Sequence, residues 1–193
     1  MTRKKSHFQN KEPVLEKLLQ FLRFRKVLPY VKGGSKILDI GCGYKGTLLS
    51  LLSSNISEGV GVDISVSKKK INNNIKLIPQ KNAKLPKNYF DLVTCLAVVE
   101  HLENPKFLLT TAYKSLKKNG RLLITTPSQI AKPILEFLAF KLEIVSKQEI
   151  KDHKKYYSKE ELENLLASCG FRRKNIQIKY FSFGVNTFAI AKK

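Results

Sequence analysis

Apolar positions recur along this chain in two rhythms. Over residues 14–24 they fall at Val14, Leu15, Leu18, Leu19, Phe21 and Leu22, a helical spacing that Pro29 and the Gly33, Gly34 pair bring to a stop. From residue 36 onward the pattern changes to short buried runs: KILDI, GVGVDI, IKLIP, FDLVTCLAV and RLLITTP. Helical stretches stand between several of them: TLLSLLSS follows the first run, and residues 105–116 follow the fourth, until KKNG breaks the helix. QKNAKLP, after the third run, reads as a turn-rich loop. Such alternation predicts β-α units and a mainly parallel sheet with helices on both faces.

The last third follows another pattern. A helix is expected near residues 130–144, then a charged loop up to Ser158. There SKEE forms a capping box, with Glu161 three residues on, and opens a helix that Gly170 closes. NIQIKYFSF and NTFAIAKK alternate around Gly184 and predict an antiparallel hairpin. No repeat, linker or internal boundary interrupts the chain, so residues 1–193 are expected to form a single domain, residues 1–30 being an N-terminal helical extension.

Composition narrows this picture. No apolar run approaches the roughly 18–20 residues that span a bilayer, and the charged start carries no apolar signal segment, so a soluble, cytoplasmic protein is expected. Cys42, Cys95 and Cys169 stand far apart, with no C-x-x-C pair and no paired histidines at ligand spacing, which indicates neither a disulfide framework nor a zinc site. The net charge of +21 favours polyanionic partners, nucleic acid or anionic lipid headgroups. Against that, only 6 of the 36 basic residues are arginine, and the lysines are scattered, which also describes a solvated, lysine-biased surface.

The stretch ILDIGCGYKG carries the chemistry. Gly41 and Gly43 come at the end of the first strand, where a backbone free of Cβ atoms can turn into a helix and approach a ligand. Asp63 closes the second strand, where a carboxylate can accept hydrogen bonds from both ribose hydroxyls. Asp39 sits where a dinucleotide-binding loop prefers an apolar residue, and the chain is too short for a second mononucleotide half. A carboxylate suited to a cation beside amides suited to an anion points to an adenosine-type ligand with a zwitterionic end.

These residues resemble the class I S-adenosylmethionine-dependent methyltransferases, in particular the small-domain group of ubiquinone/menaquinone type. ILDIGCG matches the first motif, GVGVDIS the ribose-binding acid, and NAKLP the loop after the third strand. YFDLVTCLAVVEHLENP matches the fourth strand and its exit, LKKNGRLLITTP the fifth, and YYSKEELENLLASCGF the helix before the final hairpin. The resemblance implies an α/β, Rossmann-like, seven-stranded sheet of order 3-2-1-4-5-7-6 with one antiparallel strand. It implies S-adenosylmethionine as cofactor, its methionine end lined by Asp39, Gly41, Cys42 and Gly43 and its ribose held by Asp63. Ile64 would lie against the adenine, with Asn82 and Ala83 at its edge, and Leu96 and Ala97 would contact the cofactor as they leave the fourth strand. One departure stands out: the usual glycine-x-glycine-x-glycine puts a third glycine at Lys45, but here the next glycine is Gly46.

For chemistry, His101 is the general-base candidate, beside its alternative as a helix-start histidine that hydrogen-bonds the backbone. Some relatives hold a divalent ion with glutamates and a histidine at this exit; Ala97 replaces one such ligand three residues before Glu100, so no metal is expected. Residues 141–157 resemble a lid, with His153, Tyr156 and Tyr157 as candidate substrate walls, beside the alternative that the tyrosines pack against the capping helix. The apolar ILEFLAF, residues 134–140, reads as core or as a seat for an apolar substrate. Transfer of a methyl group to a small-molecule or lipid/sugar-linked acceptor is the leading expectation. RNA methylation, carried by charge alone, and cofactor binding without catalysis stand as the alternatives.

Overall fold

The computed structural model describes residues 14–134 and 151–193. Helix α1, Val14–Val27, tightens into a 3-10 turn at Leu28–Tyr30, where Pro29 lacks the N–H an α-helix would need. The chain then enters β1 (Ser35–Ile40), α2 (Thr47–Leu52), β2 (Ile56–Asp63), a two-residue strand β3 (Lys69–Lys70) and β4 (Ile75–Pro79). Next come β5 (Phe90–Leu96), α3 (Lys106–Ser115), β6 (Leu116–Pro127), α4 (Lys159–Ser168), β7 (Ile176–Phe181) and β8 (Asn186–Lys192).

The sheet runs β3-β4-β2-β1-β5-β6-β8-β7. With β3 set aside, this is the expected order 3-2-1-4-5-7-6, β8 being antiparallel to both of its neighbours. Beyond the expected seven, β3 pairs antiparallel to β4 through Lys69 opposite Leu77. Asn72 makes that hairpin possible, its side-chain oxygen accepting from the amides of Asn74 and Ile75.

Neighbouring strand residues point to opposite faces, and each face is apolar. Leu38, Val93, Leu122 and Ile124 join α3 and α4 through Leu109, Ala112, Leu162 and Leu166. Ile37, Leu92 and Leu123, one position out of step, join Val27 of α1 and Leu48, Leu49 and Leu52 of α2. Because both faces are covered, the central strands read as continuous apolar runs.

One local reading changes, and another lies mostly outside the described residues. KKNG does not separate α3 from its strand: β6 begins at Leu116, directly after α3, with Phe90 opposite Leu116 and then Leu92 opposite Arg121 across a bulge. Residues 131–134 are the described part of the helix expected over 130–144. The remainder, with most of ILEFLAF and residues 141–150 of the expected lid, lies outside the described residues.

The capping box is present. Ser158 Oγ accepts from the Glu161 amide at 3.0 Å, and the Glu161 carboxylate accepts from the Ser158 amide at 2.8 Å. Gly170, at φ +113°, closes α4. No described helix is long and apolar enough to cross a membrane.

Candidate active site at the carboxyl edge of the sheet

Register brings the site together. Ile40 stands opposite Val62 on one side and Cys95 on the other, and Asp63 stands opposite Pro79. The segments leaving β1, β2, β4 and β5 therefore emerge along one edge, the place where open α/β sheets bind ligands. Gly41, Cys42, Gly43, Asp63, Ile64, Asn82, Ala83, Leu96 and Ala97 all lie on those segments.

The glycine turn answers the question that Lys45 raises. Positive φ angles fall at Gly41 (78°), Gly43 (65°) and Gly46 (61°), and Lys45 keeps an ordinary backbone. The turn is one residue longer than the resemblance implies, and Gly46 is the left-handed N-cap of α2. Gly41 is further constrained by packing: a Cβ there would stand 2.2 Å from Val98 Cγ2.

Asp63 closes this turn from below. Its Oδ2 accepts from the Gly43 amide at 2.9 Å, while Oδ1 accepts from the Ser65 amide at 2.8 Å and the Ser65 hydroxyl at 2.6 Å. The carboxylate is thus oriented from the protein side and keeps a partly open face. Ile64, next to it, is 60% exposed, so its side chain is available to a flat ligand. Asn82 ends a 3-10 turn directly after β4 and is exposed.

Asp39 has a different environment, 4% exposed in the β1–β5 seam. Burial pushes its carboxyl up to about 7; the Thr94 hydroxyl bond at 2.6 Å pulls down, and the Asp63 charge pushes up. The Cys42 thiol is buried too and raised by burial first, then by the charges of Asp39 and Asp63, so it is a packing group rather than a nucleophile.

At the exit of β5, Ala97 adopts φ +55° and its amide donates to the Thr125 carbonyl at 2.9 Å. Non-glycine residues seldom adopt this conformation, and it concentrates at functional sites. A 3-10 turn, Val99–His101, follows at once. The backbone carbonyl of Glu100 accepts from the amides of Lys154 and Lys155 at 2.7 and 3.2 Å, tying residues 151–157 to this exit. His101 and His153 consequently face one another, ring centroids 4.8 Å apart, and His153 Nδ1 lies 2.9 Å from the Tyr156 hydroxyl.

Of the three expected wall residues, His153 and Tyr156 are partly exposed beside His101. Tyr157 is not at the surface: it is 4% exposed, packs in the core and bridges to Ser128. Three further residues shape the site without a sequence signal. Thr94 holds Asp39, Val98 presses on Gly41, and Lys69 of the edge strand donates to the Tyr44 carbonyl at 3.0 Å, bracing the glycine turn.

The sheet order, the glycine turn and the acid ending β2 define the methyltransferase class of α/β proteins. The chain belongs to the methyltransferase-domain family, whose model matches residues 8–175. It is 37% identical over 110 residues to the mitochondrial ubiquinone biosynthesis O-methyltransferase of Schizosaccharomyces pombe, across 50% of this chain and 39% of that protein. To the ubiquinone biosynthesis O-methyltransferase of Photobacterium profundum it is 29% identical over 157 residues, 73% of this chain and 66% of the relative. The chain therefore spans between about two fifths and two thirds of these two relatives. Among solved structures, a SAM-dependent methyltransferase from Archaeoglobus fulgidus superposes with a TM-score of 0.68 at 24% identity, covering 92% of this chain and 94% of that one.

Proposed function

We propose that this protein transfers a methyl group from S-adenosylmethionine to an oxygen of a small-molecule or lipid/sugar-linked acceptor. The carrying observation is the Asp63 carboxylate, held by the Gly43 amide of the glycine turn at the end of β2 and partly exposed. Ubiquinone biosynthesis O-methyltransferases among the relatives support an oxygen acceptor.

In this reading Asp63 accepts from the ribose hydroxyls, each charge-assisted bond contributing about 1.5–3 kcal/mol. Gly41, Cys42 and Gly43 let the methionine chain lie against the backbone, and Asp39 faces its ammonium. Ile64 covers the adenine face, with Asn82 and Ala83 at its edge, and Leu96 and Ala97 close the side toward β5. When bound, the cofactor would supply an activated methyl group on a sulfonium, whose sulfur would keep the carbon–sulfur electron pair as a neutral thioether once the acceptor oxygen has taken the methyl. His101 takes the acceptor's proton, and His153 and Tyr156 wall the acceptor. The activated methyl belongs to the cofactor, so the protein's task is alignment in a dry pocket.

Calorimetry with S-adenosylmethionine tests this reading. Binding in the micromolar range that disappears in Asp63→Ala is the expected result. Absence of binding up to millimolar concentration removes the enzyme reading altogether. Incubating cell extracts with a methyl-labelled cofactor and identifying the labelled product then names the acceptor.

A further inference from the structure

We propose that the cleft at the amino edge of the sheet, between the Gly33, Gly34 loop and the start of β6, binds a small anion carrying two adjoining phosphate groups. The cleft encloses about 420 Å³, and Lys32, Asp91, Lys117, Lys118 and Arg121 line it together with Tyr30. It lies at the opposite edge from the glycine turn and Asp63, since Ser35 and Asp91 stand at the beginnings of β1 and β5. The length of β1, Ser35–Ile40, separates the two edges by about 20 Å. A ligand held here is therefore distinct from both cofactor and methyl acceptor.

The bulge of β6 makes the cleft. Lys117, Lys118, Asn119 and Gly120 stand between the pair Leu116 and Phe90 and the pair Arg121 and Leu92, so β5 and β6 part beside Asp91. The KKNG stretch that breaks the helical pattern in the sequence is thus a built feature of the sheet edge. Asn119 turns it at φ +67°, its amide donating to an oxygen of Lys193 at 3.1 Å, and the Lys193 amide donates to the Gly120 carbonyl at 3.0 Å. A Cβ on Gly120 would stand 2.9 Å from the Lys117 carbonyl oxygen, so the bulge closes this tightly only with glycine.

Charge then selects the ligand. Lys117 pairs with Asp91 at 2.7 Å and the Lys36 amide donates to the other carboxylate oxygen at 2.8 Å, so the acid of the cleft is already satisfied. Among the described residues, no carboxylate pairs with Lys32, Lys118 or Arg121. Lys32 and Lys118 are exposed and can close over a ligand, whereas Arg121 is half-buried on β6 and is the arginine of the cleft. Its guanidinium offers a planar fork to two oxygens at once, which matches a phosphate group, and is the more weakly hydrated kind of cation. Two adjoining phosphate groups carry roughly three negative charges at pH 7, the complement of these three cations.

Calorimetric titration of the full chain with inorganic pyrophosphate at about 0.15 M salt, without S-adenosylmethionine, tests this, and its outcome is independent of the methyl-transfer reading. The expected result is one equivalent bound, ~10-fold or more tightly than sulfate or citrate. Arg121→Gln is expected to weaken binding about 10-fold or more, the worth of one charge-assisted hydrogen bond. Lys32→Gln and Lys118→Gln made together, both at exposed positions, should weaken it by a similar factor and decide the matter if Arg121→Gln does not fold. Lys179→Gln, on the outer strand β7, should leave the titration unchanged and controls for the general positive surface. Absence of saturable binding up to millimolar concentration overturns the proposal, as does equal affinity for citrate, or binding that survives the double variant or falls as much in Lys179→Gln. A single-stranded oligonucleotide that binds more tightly than pyrophosphate, with a steep dependence on salt, overturns it in favour of a nucleic-acid track.

Discussion

Thr94 donates its hydroxyl to Asp39 at 2.6 Å across the β1–β5 seam, the two being register partners and both shielded from solvent. Replacing Thr94 with valine keeps the shape and removes the donor. The expected cost is about 1–3 kcal/mol, larger at pH 8, where the carboxylate is charged, than at pH 5.5. Urea unfolding at the two pH values checks this; an equal cost at both would mean that the hydroxyl does not act through the Asp39 charge.

Asp39 also sets a pH signature. Its folded-state value of about 7 lies above its ordinary 3.8, so the folded chain holds the proton more tightly than the unfolded one. The corresponding stability is fully present below about pH 4 and is lost as pH rises toward about 7, then stays level. Asp39→Asn removes this slope, so wild-type minus variant stability should fall across that window. If Asp39 meets the cofactor's ammonium, wild-type affinity for S-adenosylmethionine should rise over the same window, and Asp39→Asn should flatten it.

Gly46, not residue 45, carries the left-handed turn. Gly46→Ala adds a Cβ at φ +61°, 2.8 Å from Leu77 Cδ2, and is expected to cost about 2 kcal/mol. Lys45→Gly in the same chain should not restore the loss. A double variant that recovers wild-type melting and cofactor binding would show that the turn can run one residue earlier.

Ala97→Gly is expected to stabilise the cofactor-free chain by about 1 kcal/mol, because glycine adopts φ +55° without the Cβ penalty. For a chain of this size the midpoint should rise by about 2–4 °C. A fall in scanning calorimetry would show that the Ala97 methyl group contributes more by packing than its backbone costs.

The legibility of this protein follows the range of the interactions. The apolar runs, the Ser158 to Glu161 box and the turn at Gly184 are local patterns, and each reappears in the fold. Asp39 and Asp63 could be read because their chemistry is unusual at strand ends. Thr94 could not, since a buried threonine in an apolar strand looks like any other β-branched residue until the 55-residue excursion brings it to Asp39. Lys69 was lost among neighbouring lysines, although it braces Tyr44 across 25 residues. Tyr157 was open to two readings, since an aromatic beside a lid suits a core as well as a wall, and it packs in the core.

The parallel bridge between Ser128 and Tyr157, with Ser128 also donating to the Gly184 carbonyl at 2.6 Å, brings three points far apart in the sequence together at one place. Ser128 thus works as a clasp just past the end of β6, tying that strand both to the turn before β8 and to the residue that precedes the capping box of α4.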